Sequence, residues 1–368
     1  MSLTIVADDL TGACDTGSLF AADGPLPLSL WPAAPLPASV RVIDTESRAI
    51  GEDEAAARVA RVPALAPSGR YFKKIDSTLR GHAAREIAAL MRAADLAQAL
   101  VCPAFPAQGR SVVERALLIN GVPVADTPLA CDPQFPAVAS SSVVDVLRAR
   151  LDRPLAWLPL DQVRGGTASL AARLGRLAGT VIVADAETDA DLDALVDAAL
   201  VSRLPLLLAG AAGLAGALAS RLSLRPAEAE PPPEGRWLLV AGSRHPATRA
   251  QVEAARAAGL PVVAAPVAPE PDRRDVARRL AAEALDRLER EGFDGVAVTG
   301  GETALALCEA LDVTVLELIG SPRPGLALAR LGSGRHAAMP LLTKAGGFGE
   351  PDLFVSMLTP ALARGHRS

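Results

Sequence analysis

A short β-rich run, ending in small or polar residues and followed by a helical pattern, recurs along the whole 368-residue chain. In the first half the runs are Leu3–Ala7, 40–43, 99–102, Val181–Ala184 and 204–208. In the second half they are Trp237–Ala241, Val262–Ala264, 296–299 and 313–316. The stretch 272–291 shows the helical half of the pattern, with Val276, Leu280, Ala284 and Leu288 on one face and Arg and Glu elsewhere. A crossover helix returns the chain to the same end of a sheet, so this alternation predicts parallel strands covered on both faces. Such sheets bind ligands at the C-terminal ends of their strands, and the chemistry is expected in the turns that follow the runs.

One break interrupts the alternation. Residues 225–235 read Arg-Pro-Ala-Glu-Ala-Glu-Pro-Pro-Pro-Glu-Gly. Three consecutive prolines neither continue a helix nor serve a central strand, so the segment reads as an extended linker. The expected architecture is α/β: two Rossmann-like domains, residues 1–225 and 236–368, with mainly parallel sheets, a linker at 226–235 and a ligand cleft between them.

Composition removes several classes. Half of the residues are hydrophobic, enough to build packed cores, which excludes disorder of the chain as a whole. The formal net charge of −5 and the 3% of aromatics argue against a nucleic-acid binder, which needs a basic face and stacking platforms. The longest apolar runs are strand-sized, so no membrane partner is expected. The N-terminus has neither a basic n-region nor a long apolar h-region. Cys14, Cys102, Cys131 and Cys308 form no C-x-x-C pair and have no zinc spacing with the four histidines. Reduced thiols and a cytoplasmic location are expected.

The turns carry the polar residues. Leu3–Ala7 runs into Asp8-Asp9-Leu10-Thr11-Gly12-Ala13. One Asp would suffice to cap the next helix; a second costs repulsion and suggests a ligand. The run at 40–43 enters Asp44-Thr45-Glu46-Ser47-Arg48, and Tyr71-Phe72-Lys73 leads into Lys74-Ile75-Asp76-Ser77-Thr78-Leu79-Arg80-Gly81-His82. Arg80 can hold a carboxylate in bidentate fashion, Lys74 adds a point charge, and Asp76 and Ser77 can read hydroxyls. These turns point to a small polyhydroxy acid. The loop 103–110, with Gln108 and Arg110, is a weaker candidate, and Gly210-Ala211-Ala212-Gly213 reads as close strand–helix packing. In the second half the turns are Gly242-Ser243-Arg244-His245, Gly300-Gly301-Glu302-Thr303 and Lys344-Ala345-Gly346-Gly347-Phe348-Gly349. Glycines there let backbone N–H groups approach an anion, which fits a nucleotide's phosphates, although no Walker A loop is present.

Together these motifs resemble the four-carbon acid sugar kinase family over nearly the whole chain. Ala7–Ala13, Asp44–Arg48 and Lys73–Gly81 are similar to its sugar-binding domain, and Gly242-Ser243, Gly300–Thr303 and Lys344–Gly349 to its nucleotide-binding domain. The resemblance implies phosphorylation of the terminal hydroxyl of threonate, erythronate or 3-oxo-tetronate by ATP with Mg²⁺. It implies ATP contacts at Ser243, Gly300, Gly301, Glu302, Thr303, Gly346 and Gly347. The family usually has a second Ser two residues after the Ser of the first nucleotide loop, where this chain carries His245. The expected catalytic residues are Asp9 and Asp76; Asp8, Arg48, Lys74, Ser77 and Arg80 are expected to bind substrate. No metal ligand is named, and a homodimer is an open expectation. The competing readings are a non-catalytic sugar-acid sensor of the same fold and a nicotinamide-linked dehydrogenase, the latter without its G-x-G-x-x-G loop.

Overall fold

A computed structural model describes residues 2–32, 35–131, 138–226, 231–266, 272–345 and 347–359. Residues 227–230 of the expected linker, and Gly346, lie outside the described residues. The strands are β1 (Leu3–Ala7), β2 (Leu26–Leu30), β3 (Val40–Asp44), β4 (Arg70–Lys74), β5 (Gln98–Cys102), β6 (Arg110–Val113), β7 (Ala116–Ile119), β8 (Val122–Pro123), β9 (Leu155–Leu158), β10 (Val181–Ala184), β11 (Leu206–Gly210), β12 (Trp237–Ala241), β13 (Val262–Ala264), β14 (Gly295–Thr299), β15 (Val315–Gly320), β16 (Leu326–Leu331) and β17 (Pro340–Lys344). Helices join most of them, as the alternation predicts. The helix Arg273–Glu291 buries Val276, Leu280, Ala284 and Leu288, the face read from its sequence, and Asp272 caps it.

The architecture is α/β with a large, mainly parallel, mixed sheet. Where two separate sheets are expected, fourteen of the described strands form one, in the order β13-β12-β14-β17-β16-β15-β2-β3-β1-β4-β11-β5-β10-β9. The halves join through β2 and β15, paired antiparallel with Leu28 opposite Leu316. The pairs β15–β16 and β16–β17 are also antiparallel. β15 overlaps the run read at 313–316, but β2, β16 and β17 do not declare themselves by the strand–helix alternation, which is why the continuity is invisible in the sequence.

The antiparallel junction has a geometric consequence. Parallel strands of the second half run opposite in sheet sense to those of the first. A twist of about 20–25° per strand turns neighbouring strands through roughly 120–150° over the six steps from β1 to β14. That nearly reverses the sense again and brings the C-terminal ends of both sets of strands round to one side. A short three-stranded sheet, β6-β7-β8, leaves the main layer after β5 and is tied back by the bridge Val112–Ala186. The turn at Gly210 and Gly213 packs closely: an added β-carbon would stand 2.5 Å from the Cys102 carbonyl oxygen and 2.7 Å from that of Ala104, respectively.

Candidate functional site

The first-half turns meet at the centre of the sheet. β1 lies between β3 and β4, the point where the strand order changes direction. Asp8 and Asp9 follow β1 and divide two tasks. Asp9 caps the helix Leu10–Gly17: its Oδ1 accepts from the Gly12 amide at 3.2 Å and its Oδ2 from the Thr11 hydroxyl at 2.7 Å. Asp8 is buried and accepts two hydrogen bonds, each 2.8 Å, from Nε and Nη2 of Arg48. The same guanidinium stands 2.6 Å from Asp9 Oδ1. Burial pushes the Asp8 carboxyl up, but Arg48, Lys73 and Lys74 together overcome it and hold it near 2.

The turn after β4 folds over this pair. Asp76 Oδ2 accepts from the amides of Thr78 and Arg80, from the Thr78 hydroxyl and from Arg80 Nε at 2.9 Å; its Oδ1 accepts from Arg80 Nη2 at 3.0 Å. Burial opposes ionisation of Asp76, yet Arg80 and Arg48 hold its carboxyl well below the usual range. Lys74 donates to the Ile75 carbonyl, and a β-carbon on Gly12 would come within 3.1 Å of its Nζ and 2.4 Å of Asp9 Oδ1. Lys73 points the other way, fully buried, into a 2.9 Å ion pair with Glu86.

In the second half three turns interlock at the ends of the neighbouring strands β12, β14 and β17. The amides of Gly242 and Ser243 donate to the Thr299 carbonyl, and that of Gly300 to the Lys344 carbonyl. Gly300 has φ = 101°, and Gly242 leaves room only for Thr303, whose hydroxyl oxygen would lie 1.7 Å from an added β-carbon. Lys344 is buried and donates to the carbonyls of Ala345 and Phe348, which fixes the course of the last turn; burial lowers its ammonium to about 8.

The two sets of turns line one cavity of about 570 Å³. Of the residues expected in the first half, Asp9, Arg48, Lys74, Asp76, Ser77 and Arg80 line it; Asp8 lies behind Arg48. Of the expected nucleotide residues, Ser243, Gly300, Gly301, Glu302, Thr303 and Gly347 line it. The halves touch here: a β-carbon on Gly301 would lie 3.4 Å from the Thr11 hydroxyl and 3.5 Å from Asp9 Oδ2.

The cavity also holds residues that sequence reasoning did not select. Asp15 lies one helical turn after Thr11, a spacing that could have found it. Burial raises its carboxyl to about 6, with Asp9 adding to the rise, against the pull of Lys74 and of the Gly325 amide. Glu46 accepts from the Leu10 amide, has a left-handed backbone (φ = 44°), and is raised to about 7, chiefly by burial. His245 lies beside Gly347, and its Nδ1 accepts from the Ala247 amide. Cys14, Cys102 and Cys308 are buried free thiols pushed up by that burial, a poor setting for nucleophiles. Among the described residues no helix is long and apolar enough to cross a membrane.

Two family models match the chain: a sugar-binding N-terminal domain over residues 3–218 and a nucleotide-binding C-terminal domain over residues 265–354. D-threonate kinase of Salmonella typhimurium is 30% identical, with 95% of this chain and 96% of that protein covered. D-threonate kinase of Bordetella bronchiseptica is 33% identical, with 95% of each covered. 3-Oxo-tetronate kinase of Pseudomonas fluorescens is 30% identical, covering 97% and 96%. A crystal structure from Salmonella typhimurium LT2, described as a putative tRNA synthase, has the same fold, with a TM-score of 0.80 at 22% identity over 98% of this chain and 99% of that one. A Bordetella bronchiseptica crystal structure, described as a domain-swapped dimer with bound citrate, is 33% identical over 96% of each chain, with a TM-score of 0.52. With both domain models matched in order, and with relatives aligned from end to end, the chain belongs to the four-carbon acid sugar kinases.

Proposed function

We propose that this kinase transfers the γ-phosphoryl group of ATP to the terminal hydroxyl of a four-carbon acid of the threonate, erythronate or 3-oxo-tetronate type. The observation that carries the reading is the approach of the Gly301 turn to Asp9 and Thr11 inside one cavity. It sets the positive end of the helix Gly301–Ala310 beside the carboxylate best suited to an attacking hydroxyl.

Phosphoryl transfer asks a protein for alignment and charge neutralisation. Asp9 takes the role of base: it orients the hydroxyl and accepts its proton, while its bonds to Thr11 and Gly12 hold it still. Asp76 is saturated by Arg80 and Thr78 and held well below the usual carboxylate range, so its part is to orient Arg80 rather than to take a proton. Asp8 fixes Arg48, and Arg48, Lys74, Ser77 and Arg80 form the acid's wall. Ser243, the Gly300–Thr303 turn and the Gly346–Gly347 turn cradle ATP. Mg²⁺ keeps most of its water and needs few protein ligands; bound with the nucleotide, it neutralises charge on the phosphates. No cage of three acidic, His or Cys side chains occurs among the described residues, and Asp15, a part-buried carboxyl that lines the cavity, is the residue that would touch the ion.

In this reading residues 1–225 bind the acid, 236–368 bind the nucleotide, and 226–235 link them across the cleft. Because the β2–β15 ladder also joins the halves, closure would be a twist of the sheet at that ladder. A reducing cytoplasm suits the buried free thiols. The dimer described for the Bordetella relative supports a homodimer, and its bound citrate supports a hydroxy-acid ligand. The test is ATP turnover coupled to a panel of tetronates. Acid-dependent ADP release is expected; acid binding without ADP release would favour a sensor, and reduction of a nicotinamide would favour a dehydrogenase.

A further inference from the structure

The cations expected to clamp the acid's carboxylate are already engaged. Arg48 is spent on Asp8 and Asp9, Arg80 on Asp76, and Lys74 on the Ile75 carbonyl. The loop after β5 supplies what they lack. Gln108 and Arg110 both line the cavity, and each carries a buried side-chain donor without an acceptor among the described residues: Nε2 of Gln108 and Nε of Arg110. Arg110 has no carboxylate partner there either. Its guanidinium donates to the Gln108 carbonyl and lies 5.7 Å from the centre of the Phe348 ring. It lines the same cavity as Asp76 and Arg80, and burial lowers its affinity for the proton, partly offset by Asp76 and deepened by Arg80. Buried donors left unpaired are costly, and two on one short loop mark the place where an anion completes them.

The loop is rigid. Phe105 and Arg110 exchange both backbone hydrogen bonds, and the Asn120 amide donates to the Gly109 carbonyl at 2.7 Å. Gly109 has φ = 68°, and a β-carbon there would lie 2.0 Å from Asn120 Oδ1. The three-stranded sheet β6-β7-β8 therefore holds Gln108 and Arg110 in place.

We propose that Gln108 and Arg110 bind the carboxylate of the acid substrate, fixing the end of the molecule opposite the hydroxyl that is phosphorylated. This rests on the tetronate-kinase reading above. The test is calorimetric binding of D-threonate and D-erythronate to the full chain, alongside acid and ATP KM values. Arg110→Met and the near-isosteric Gln108→Glu should each weaken acid binding by about tenfold or more, with Arg110→Lys intermediate. The acid KM should rise by more than kcat falls, with the ATP KM unmoved. Binding of a neutral tetritol, which lacks the carboxylate, should be the same for wild type and Arg110→Met. Should Arg110→Met fail to fold, Gln108→Glu and Arg110→Lys carry the test. Acid binding unchanged in the folded variants would overturn the proposal, as would a rise confined to the ATP KM, which would mean contact with the transferred phosphoryl group. Arg110-dependent acid binding without phosphoryl transfer would sink the kinase reading and leave this site standing; normal turnover with unchanged acid affinity would do the reverse.

Discussion

At the scale of single residues, the site is a set of carboxylates with different tasks imposed by their neighbours. Asp9→Asn keeps the cap on the Gly12 amide but cannot take a proton, so turnover should fall by about 10²–10⁴-fold in the coupled assay. Wild-type turnover would remove Asp9 from the role of base. Asp15 provides a test of sign. Its carboxyl is raised in the folded chain, so its penalty is absent at pH 3, builds as the unfolded carboxyl ionises near 4, and is complete above about 6. Asp15→Asn should therefore stabilise the fold by roughly 1–2 kcal/mol at pH 8 and do little at pH 3, as read by denaturant melts at the two values. Asp8 has the opposite sign. Its carboxyl is held near 2, so its stabilisation is present above about pH 4 and disappears as pH falls toward 2. Most of these residues were legible in the sequence as members of strand-end turns. Their partners were not: Arg80 serves Asp76 only because the turn after β4 folds back on itself over four residues, and that Arg48 bridges Asp8 and Asp9 depends on how turns from different strands face each other.

At the scale of elements, glycines decide how closely one turn can approach another. Gly12 lets the helix Leu10–Gly17 start against Asp9 and Lys74, and Gly242 makes room for Thr303. Gly242→Ala would drive a methyl into the Thr303 side chain and part the turns after β12 and β14. The expected outcome is a rise of about tenfold or more in the ATP KM with a smaller change in the acid KM, measured by steady-state kinetics. An unchanged ATP KM would show that these turns do not carry the nucleotide. The strands beginning at Leu3, Val181, Trp237 and Val262 follow the sequence reading to the residue, because buried parallel strands are unbroken apolar runs. The run read at 204–208 shifts to Leu206–Gly210, since small apolar residues continue past its C-terminal end and only its pairing with β4 and β5 fixes the register.

At the scale of the whole molecule, one sheet spans both halves. The β2–β15 ladder makes each half part of the other's hydrophobic support, with Leu28 and Leu316 fully buried on paired strands. Leu28→Ala should cost about 2–5 kcal/mol and lower the midpoint for the whole chain rather than for one half, as followed by calorimetry. Two independent transitions, only one of them shifted, would contradict that coupling. The sequence by itself determined the alternation of strands and helices, the family, and the turns where polar residues gather, because these depend on local periodicity and short motifs. Only the tertiary structure decided that the two halves share a sheet, that an antiparallel junction and accumulated twist bring both sets of turns to one cavity, and which charges neutralise one another there. The shared sheet rests on contacts between segments hundreds of residues apart, such as Leu28 with Leu316, and the charge pairing on how turns tens of residues apart are folded together, as Arg48 with Asp8; local propensity carries no record of either.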